Sequence, residues 1–156
     1  MDNRKLGLLD EGLKQYIVVK IGNERYGIDI GFIDNIVRMQ RITRVPKAQD
    51  YFKGVINLRG EVVPVMSLRL RMSLPDDEIT NNSRIIIVKL EQTGSIGFIV
   101  DEVHEVVTLG TDQIAKVSHD NAPRDKASFI NGIGKHDGHL ISLLELQSVV
   151  VDKAMQ

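Results

Sequence analysis

Apolar positions along this chain recur at every second residue in short runs, and the runs end at glycine or in polar turns. Tyr16 to Ile21 is rich in β-branched residues, Gly22-Asn23 signals a turn, and Glu24 to Ile30 alternates with Tyr26, Ile28 and Ile30 on one face. That pattern predicts a hairpin. Gly31 breaks the alternation, and Phe32, Ile33, Ile36 and Val37 follow at a spacing that predicts one or two turns of helix. Arg41 to Val45 alternates again, and Asp50 to Phe52 reads as a turn. Val55 to Leu58 and Val62 to Val65 then predict a second hairpin bent at Arg59-Gly60, with Pro64 confining the return strand to an edge or a bulge. Residues 74–83 are polar and turn-rich, which suits a linker. Arg84 to Leu90 and Ile96 to Val100 form the next predicted hairpin, and Asp101 to Val107 parallels the earlier helical spacing. Val117 to Ser128 reads as a loop. Phe129 to Ile133 and His139 to Leu143 flank a tight bend at Asp137-Gly138, and Leu144 to Val151 fits either a short helix or a strand.

These elements repeat in one order. Gly27 to Val37 returns 70 positions later as Gly97 to Val107; Gly54-Val55, Gly60 and Leu68 return 78 positions later as Gly132-Ile133, Gly138 and Leu146. A duplicated unit of short strands with regular turns points to an all-β protein with short helices, built from two small barrels rather than an α/β sheet. Barrels of under about 80 residues are marginal alone, so the two are expected to pack on each other. The expected divisions are a tail over 1–14, a domain over 15–150 with halves 15–73 and 84–150 joined by 74–83, and a tail over 151–156.

Composition changes this picture little. Of 156 residues, 42% are hydrophobic and 26% charged, an ordinary globular balance. No apolar run approaches the roughly 20 residues of a spanning helix, so no direct membrane insertion is expected. The absence of cysteine removes disulfides and thiolate chemistry and fits a cytoplasmic protein. Net charge is −1, but its distribution is uneven. Val37 to Arg71 holds eight basic and two acidic residues, whereas Gly97 to Asp112 holds four acids and no Lys or Arg. Such a division can steer protein partners, or it can be two solvated faces.

Catalytic patterns do not emerge. There is no phosphate-binding loop, dinucleotide fingerprint, nucleophile elbow or zinc motif. His136 and His139 flank one bend, but a structural metal site takes about four ligands, so the expectation is no metal, no cofactor and no enzyme. A nucleic-acid-binding barrel would pair a basic groove with aromatic stacking platforms; aromatics are 4%, and Arg38 to Lys47 contains none. Arg59, at the end of a strand and before Gly60, reads either as an exposed turn residue or as an arginine held for a carboxylate or carbonyl. Ile33, Ile36, Ile85, Val103 and Val106 are either core or the lining of a groove for an amphipathic helix.

The stretch from Phe52 to Val65, Phe-Lys-Gly-Val-Ile-Asn-Leu-Arg-Gly-Glu-Val-Val-Pro-Val, followed by Leu68-Arg69, resembles the signature of the CheW-type coupling proteins of bacterial chemotaxis. Tyr26 to Ile30 and Gly97 to Asp101, with Val103 and Val106-Val107, extend the likeness over about Gln15 to Val150. The resemblance implies two intertwined five-stranded, SH3-like β-barrels with a hydrophobic groove between them. It implies a scaffold without catalysis that couples a chemoreceptor signalling tip to the regulatory domain of a CheA-type histidine kinase, in membrane-proximal receptor arrays in the cytoplasm. Carried over, the receptor-facing residues are Ile33, Gly54, Arg59, Ile85, Val103 and Val106, supported by Asn35, Asn57 and Gly60. The family commonly has a glutamate paired with the signature arginine where this chain has Asn35; Glu61 or Asp34 could substitute. The kinase-contacting surface does not transfer, because Ala115 to Asp125 is not matched. A CheV-like coupling module is the alternative; no acidic-pocket receiver follows Val150, which favours a single-module protein.

Overall fold

The structure is a computed structural model, and it describes residues 12–117 and 129–150. The loop expected over Val117 to Ser128 falls outside those residues except for Val117, as do most of the two expected tails. The first tail is shorter than expected, because β1 already begins at Leu13.

Strands dominate. In chain order they are β1 (Leu13–Ile21), β2 (Glu24–Asp29), β3 (Ile33–Arg38), β4 (Phe52–Leu58), β5 (Glu61–Ser67), β6 (Arg84–Leu90), β7 (Gly94–Val100), β8 (Glu102–Gly110), β9 (Ile114–Lys116), β10 (Ile130–His136) and β11 (His139–Leu144). Short helices α1 (Leu68–Arg71) and α2 (Leu146–Val150) follow β5 and β11, and 3-10 turns occupy Ile30–Phe32 and Thr111–Gln113. One sheet runs β8-β1-β2-β11-β10-β9 and the other β3-β6-β7-β5-β4. The two orders correspond, strand for strand, under the repeat. The sixth strand, β9, places Ala115 opposite Ile133, where the other sheet has only the single bridge of Thr43 with Val55.

The sheets exchange elements between the halves of the repeat. β5 lies parallel to β7 with Val65 opposite Gly97, and β11 lies parallel to β2 with Leu143 opposite Gly27. Each sheet therefore joins an early hairpin of one half to a late hairpin of the other. Contacts accordingly divide the described residues into a central unit of 19–24 and 32–103 and a terminal unit of 12–18, 25–31, 104–117 and 129–150. This corrects the expected division into 15–73 and 84–150. The 74–83 segment, expected to join two modules, lies within the central unit. Each unit has its own core. In the terminal unit Tyr16, Val18, Val107, Leu109, Ile141 and Leu143 cluster. In the central unit Ile56, Val63, Val65, Ile85, Ile87 and Ile99 do so.

Three local expectations change. The helical spacing at Ile33, Ile36 and Val37 belongs to strand β3, because a bulge between Ile33 and Asn35 inserts a residue opposite β6 and stretches the apolar period. β8 is likewise a strand, with Val107 and Leu109 buried and Val106 facing out. β5 is an interior strand; Pro64 precedes Val65, the first residue paired with β7, so its missing N–H falls outside that ladder. The stretch left open after Leu144 is helix α2, which buries Leu146 and Val149 at a spacing of three.

Candidate docking surface

The central unit's signature hairpin is built by its turn. Arg59 and Gly60 both take positive φ, 53° and 83°. The Asn57 side-chain oxygen accepts from Gly60 N–H at 3.1 Å and closes the bend. Arg59 is exposed at this tip, and among the described residues its guanidinium takes part in no hydrogen bond or ion pair. Asn35 does not replace the family's glutamate as its partner: the Asn35 side-chain oxygen accepts from Ile36 N–H at 2.8 Å. Neither Glu61 nor Asp34 pairs with Arg59 either.

Of the other expected contact residues, Ile33 and Val103 are half-buried and Val106 is 49% exposed, so each presents apolar surface. Ile33 opens β3, the first strand in its sheet order, and Val103 lines a small cavity of about 150 Å³ with Asn82, Arg84 and Glu102. Ile85 is a correction. It is completely buried in the central core, because β6 lies between β3 and β7 and its side chain fills the interior. Gly54 is also buried and offers no side chain. At φ +140°, a Cβ there would collide with the Thr43 carbonyl, the partner of Val55 N–H at 2.8 Å. Gly54 admits the 39–51 loop to the sheet, so it acts on architecture. Ile33, Gly54, Arg59, Ile85 and Val103 belong to the central unit, Val106 to the terminal unit.

The sequence reading missed four polar anchors in the central unit. Asp101 receives Arg69 Nε at 3.0 Å, Arg69 Nη2 at 2.7 Å and Gly22 N–H at 2.9 Å. Burial pushes its carboxyl up, but the Arg69 hydrogen bonds, Gly22 and the charges of Arg69 and Lys20 outweigh this and hold it below the usual carboxylate range. Lys53 pairs with Asp76 at 2.9 Å. Arg71 stacks 4.6 Å from the Tyr51 ring centre. Ser67 caps α1 by accepting from Leu70 N–H and donates to Asp77 at 2.5 Å. Burial raises the Asp77 carboxyl above its ordinary value, partly offset by Ser67. Arg69 and Asp101 both sit in the family-like stretches, the only hint of the pair in the sequence.

Among the described residues no three His, Asp or Glu side chains converge where a metal could be held, and no helix is long and apolar enough to cross a membrane. What the geometry offers is surface: exposed or half-exposed aliphatics, an exposed arginine at a hairpin tip with no partner among the described residues, and a basic loop.

These features define an all-β, double-sheet domain suited to binding other proteins. A family model for the CheW-like domain matches residues 15–154, and the chain belongs to that family. It is 34% identical to the chemotaxis protein CheW of Bacillus subtilis over 143 residues, covering 92% of this chain and 90% of that protein. It is 28% identical to the CheW of Klebsiella aerogenes, covering 91% and 84%. The crystal structure of the scaffolding protein TtCheW from Thermoanaerobacter tengcongensis superposes with a TM-score of 0.81 at 31% identity, covering 89% of this chain and 94% of that one.

Proposed function

We propose that this chain is a non-enzymatic chemotaxis scaffold that couples chemoreceptor signalling tips to a CheA-type histidine kinase. The observation that carries the reading is its similarity, over about nine-tenths of its length, to proteins named as chemotaxis CheW and to a structure named as a scaffolding protein. Support for the receptor contact comes from half-buried Ile33 and Val103 in the central unit and from exposed Val106 in the terminal unit, each of which offers apolar surface to a helix. Arg59, at its tip, orients the neighbouring loop, with Asn57 and Gly60 fixing the turn that carries it. Ile85 and Gly54 support the site from within. The kinase regulatory domain binds elsewhere, through strand edges and exposed apolar residues, and the protein works in the cytoplasm at receptor arrays.

Val106→Asp tests the receptor reading. An unpaired charge on a surface that closes against a helix is costly. Co-sedimentation with a receptor signalling fragment and a CheA-type kinase should show receptor affinity reduced about tenfold, near 1.4 kcal/mol. Val106 is 49% exposed, so the fold should survive. A folded variant that binds receptor normally removes Val106 from the site. Mutual exclusion of receptor fragment and kinase domain in calorimetry would refute separate surfaces.

A further inference from the structure

Between β3 and β4 the central unit encloses an open cavity of about 580 Å³ that the receptor reading does not use. Its lining includes the apolar Ile42, Val45 and Phe52 and the cationic Arg44, Lys47 and Lys53. The walls are preformed. Thr43 and Val55 exchange both backbone hydrogen bonds at 2.8 Å, and Phe52 N–H donates to the Gln49 carbonyl at 3.0 Å. Lys53 is held by Asp76 at 2.9 and 3.1 Å, so those two charges offset each other, and the other charged lining residues are Arg44, Lys47 and Asp50.

Lys47 supplies a second, independent observation. It follows Pro46 in a turn and takes φ +61°, a conformation that favours glycine or asparagine. A lysine there carries backbone strain that glycine would relieve, and such strain collects where a side chain is needed for contact.

From this geometry we infer that the cavity is a docking site for an acidic, extended peptide segment of a partner protein. One carboxylate lies at Arg44 and Lys47, and an adjacent aliphatic or aromatic side chain lies on Ile42, Val45 and Phe52. Charge complementarity and the apolar floor together select this partner. A nucleic acid fits poorly, because the cavity offers a single aromatic ring for base stacking. None of Ile33, Val103 and Val106 is among its lining residues.

The test uses backbone-amide NMR of the full chain. It is titrated with a library of blocked pentapeptides, each holding two Asp or Glu residues around one Leu, Val or Phe, and with the same library in Asn and Gln form. The acidic library should shift amides of residues 42–53 and 76, saturably, with an effect that weakens as salt rises. Arg44→Glu and Lys47→Glu should each weaken binding by about fivefold or more, the upper range for one partly exposed charge and its reversal. Lys47→Gly separates fold from function: it should raise thermal stability while weakening peptide binding. No saturable shifts, equal shifts with the amide library, or undiminished binding by the Glu variants would overturn the inference. Tighter binding of a single-stranded oligonucleotide to the same amides would overturn the choice of partner. Lys47→Gly binding as well as the native chain would remove the argument from strain.

Discussion

Replacing Asp101 with asparagine removes one charge and almost no volume from a carboxylate that accepts three hydrogen bonds. Asp101 sits between β7 and β8, where it receives two N–H groups of Arg69 on α1 and the backbone N–H of Gly22 in the β1–β2 turn. An asparagine keeps one acceptor but turns its amide NH₂ toward a guanidinium donor, so at least one charge-assisted bond is lost. Hydrogen bonds to charged groups contribute about 1.5–3 kcal/mol. The side chains of Arg69 and Asp101 are 20% and 22% exposed, so solvent screens only part of that. The expected loss is about 2 kcal/mol, or roughly 4–8 °C in melting temperature for a chain of this size. Urea unfolding followed by circular dichroism should show a lower midpoint with an unchanged slope. The Asp101 carboxyl is held below its ordinary value in the folded state, so its contribution is present at neutral pH. It fades as pH falls below about 4 and through the folded value, and the difference between native chain and variant should shrink over that interval. A double-mutant cycle with Arg69→Met should return a coupling of at least about 1 kcal/mol. A loss under about 0.5 kcal/mol at neutral pH, typical of surface changes, would mean that the triple contact is not a stabilising feature.

Gly54→Ala should cost about 3 kcal/mol or abolish soluble expression, because φ +140° is strained for alanine and its Cβ meets the Thr43 carbonyl; chemical denaturation of the purified variant checks this. Arg59→Gly should leave stability unchanged or raise it by up to about 1 kcal/mol, since glycine accepts φ 53° freely, while receptor co-sedimentation falls. Asp77→Asn should stabilise the chain most at neutral and higher pH. A carboxyl raised by burial costs stability once pH rises through its unfolded value, and the cost is complete above its folded one. Urea midpoints at pH 4 and pH 8 should therefore converge at the lower pH, and a variant less stable than the native chain at pH 8 would contradict this.

The strands were legible because their apolar residues alternate against one core, and because β6, read as the run Ile85-Ile86-Ile87-Val88, is buried on both faces. The repeat was legible through Gly27 and Gly97. Each does one job in its sheet: a Cβ would come within 2.8 Å of Leu143 at Gly27 and 2.7 Å of Ile85 at Gly97. Strand exchange was not legible in the alternation itself and was expected only from the family resemblance, which implies intertwined barrels. Alternation states which face of a strand is buried, but not whether Val65 pairs with Gly27 or with Gly97, and the two registers bury the same side chains. The spacing in β3 misled for a different reason, since a bulge and a helical turn both bring apolar residues back after three positions.

The contact surface was less legible than the fold, and Ile85 and Val106 show why. Both are aliphatic residues on strands, β6 the second and β8 the first in the order of its sheet, and hydropathy treats them alike. One is fully buried and the other is 49% exposed, a difference set by sheet order and by the face each side chain takes. Charges behave similarly. The excess of positive charge from Val37 to Arg71 reads as one basic block, yet Lys53, Arg69 and Arg71 are taken up by Asp76, Asp101 and Tyr51. Structure thereby separates that block into residues that hold the central unit together and residues, Arg44, Lys47 and Arg59 among them, that are exposed and pair with no other described residue. On the proposed scaffold reading, the domain acts through that remainder. Substitutions at Arg59 and Lys47 should therefore change binding without loss of stability, whereas Gly54 and Asp101 should do the reverse.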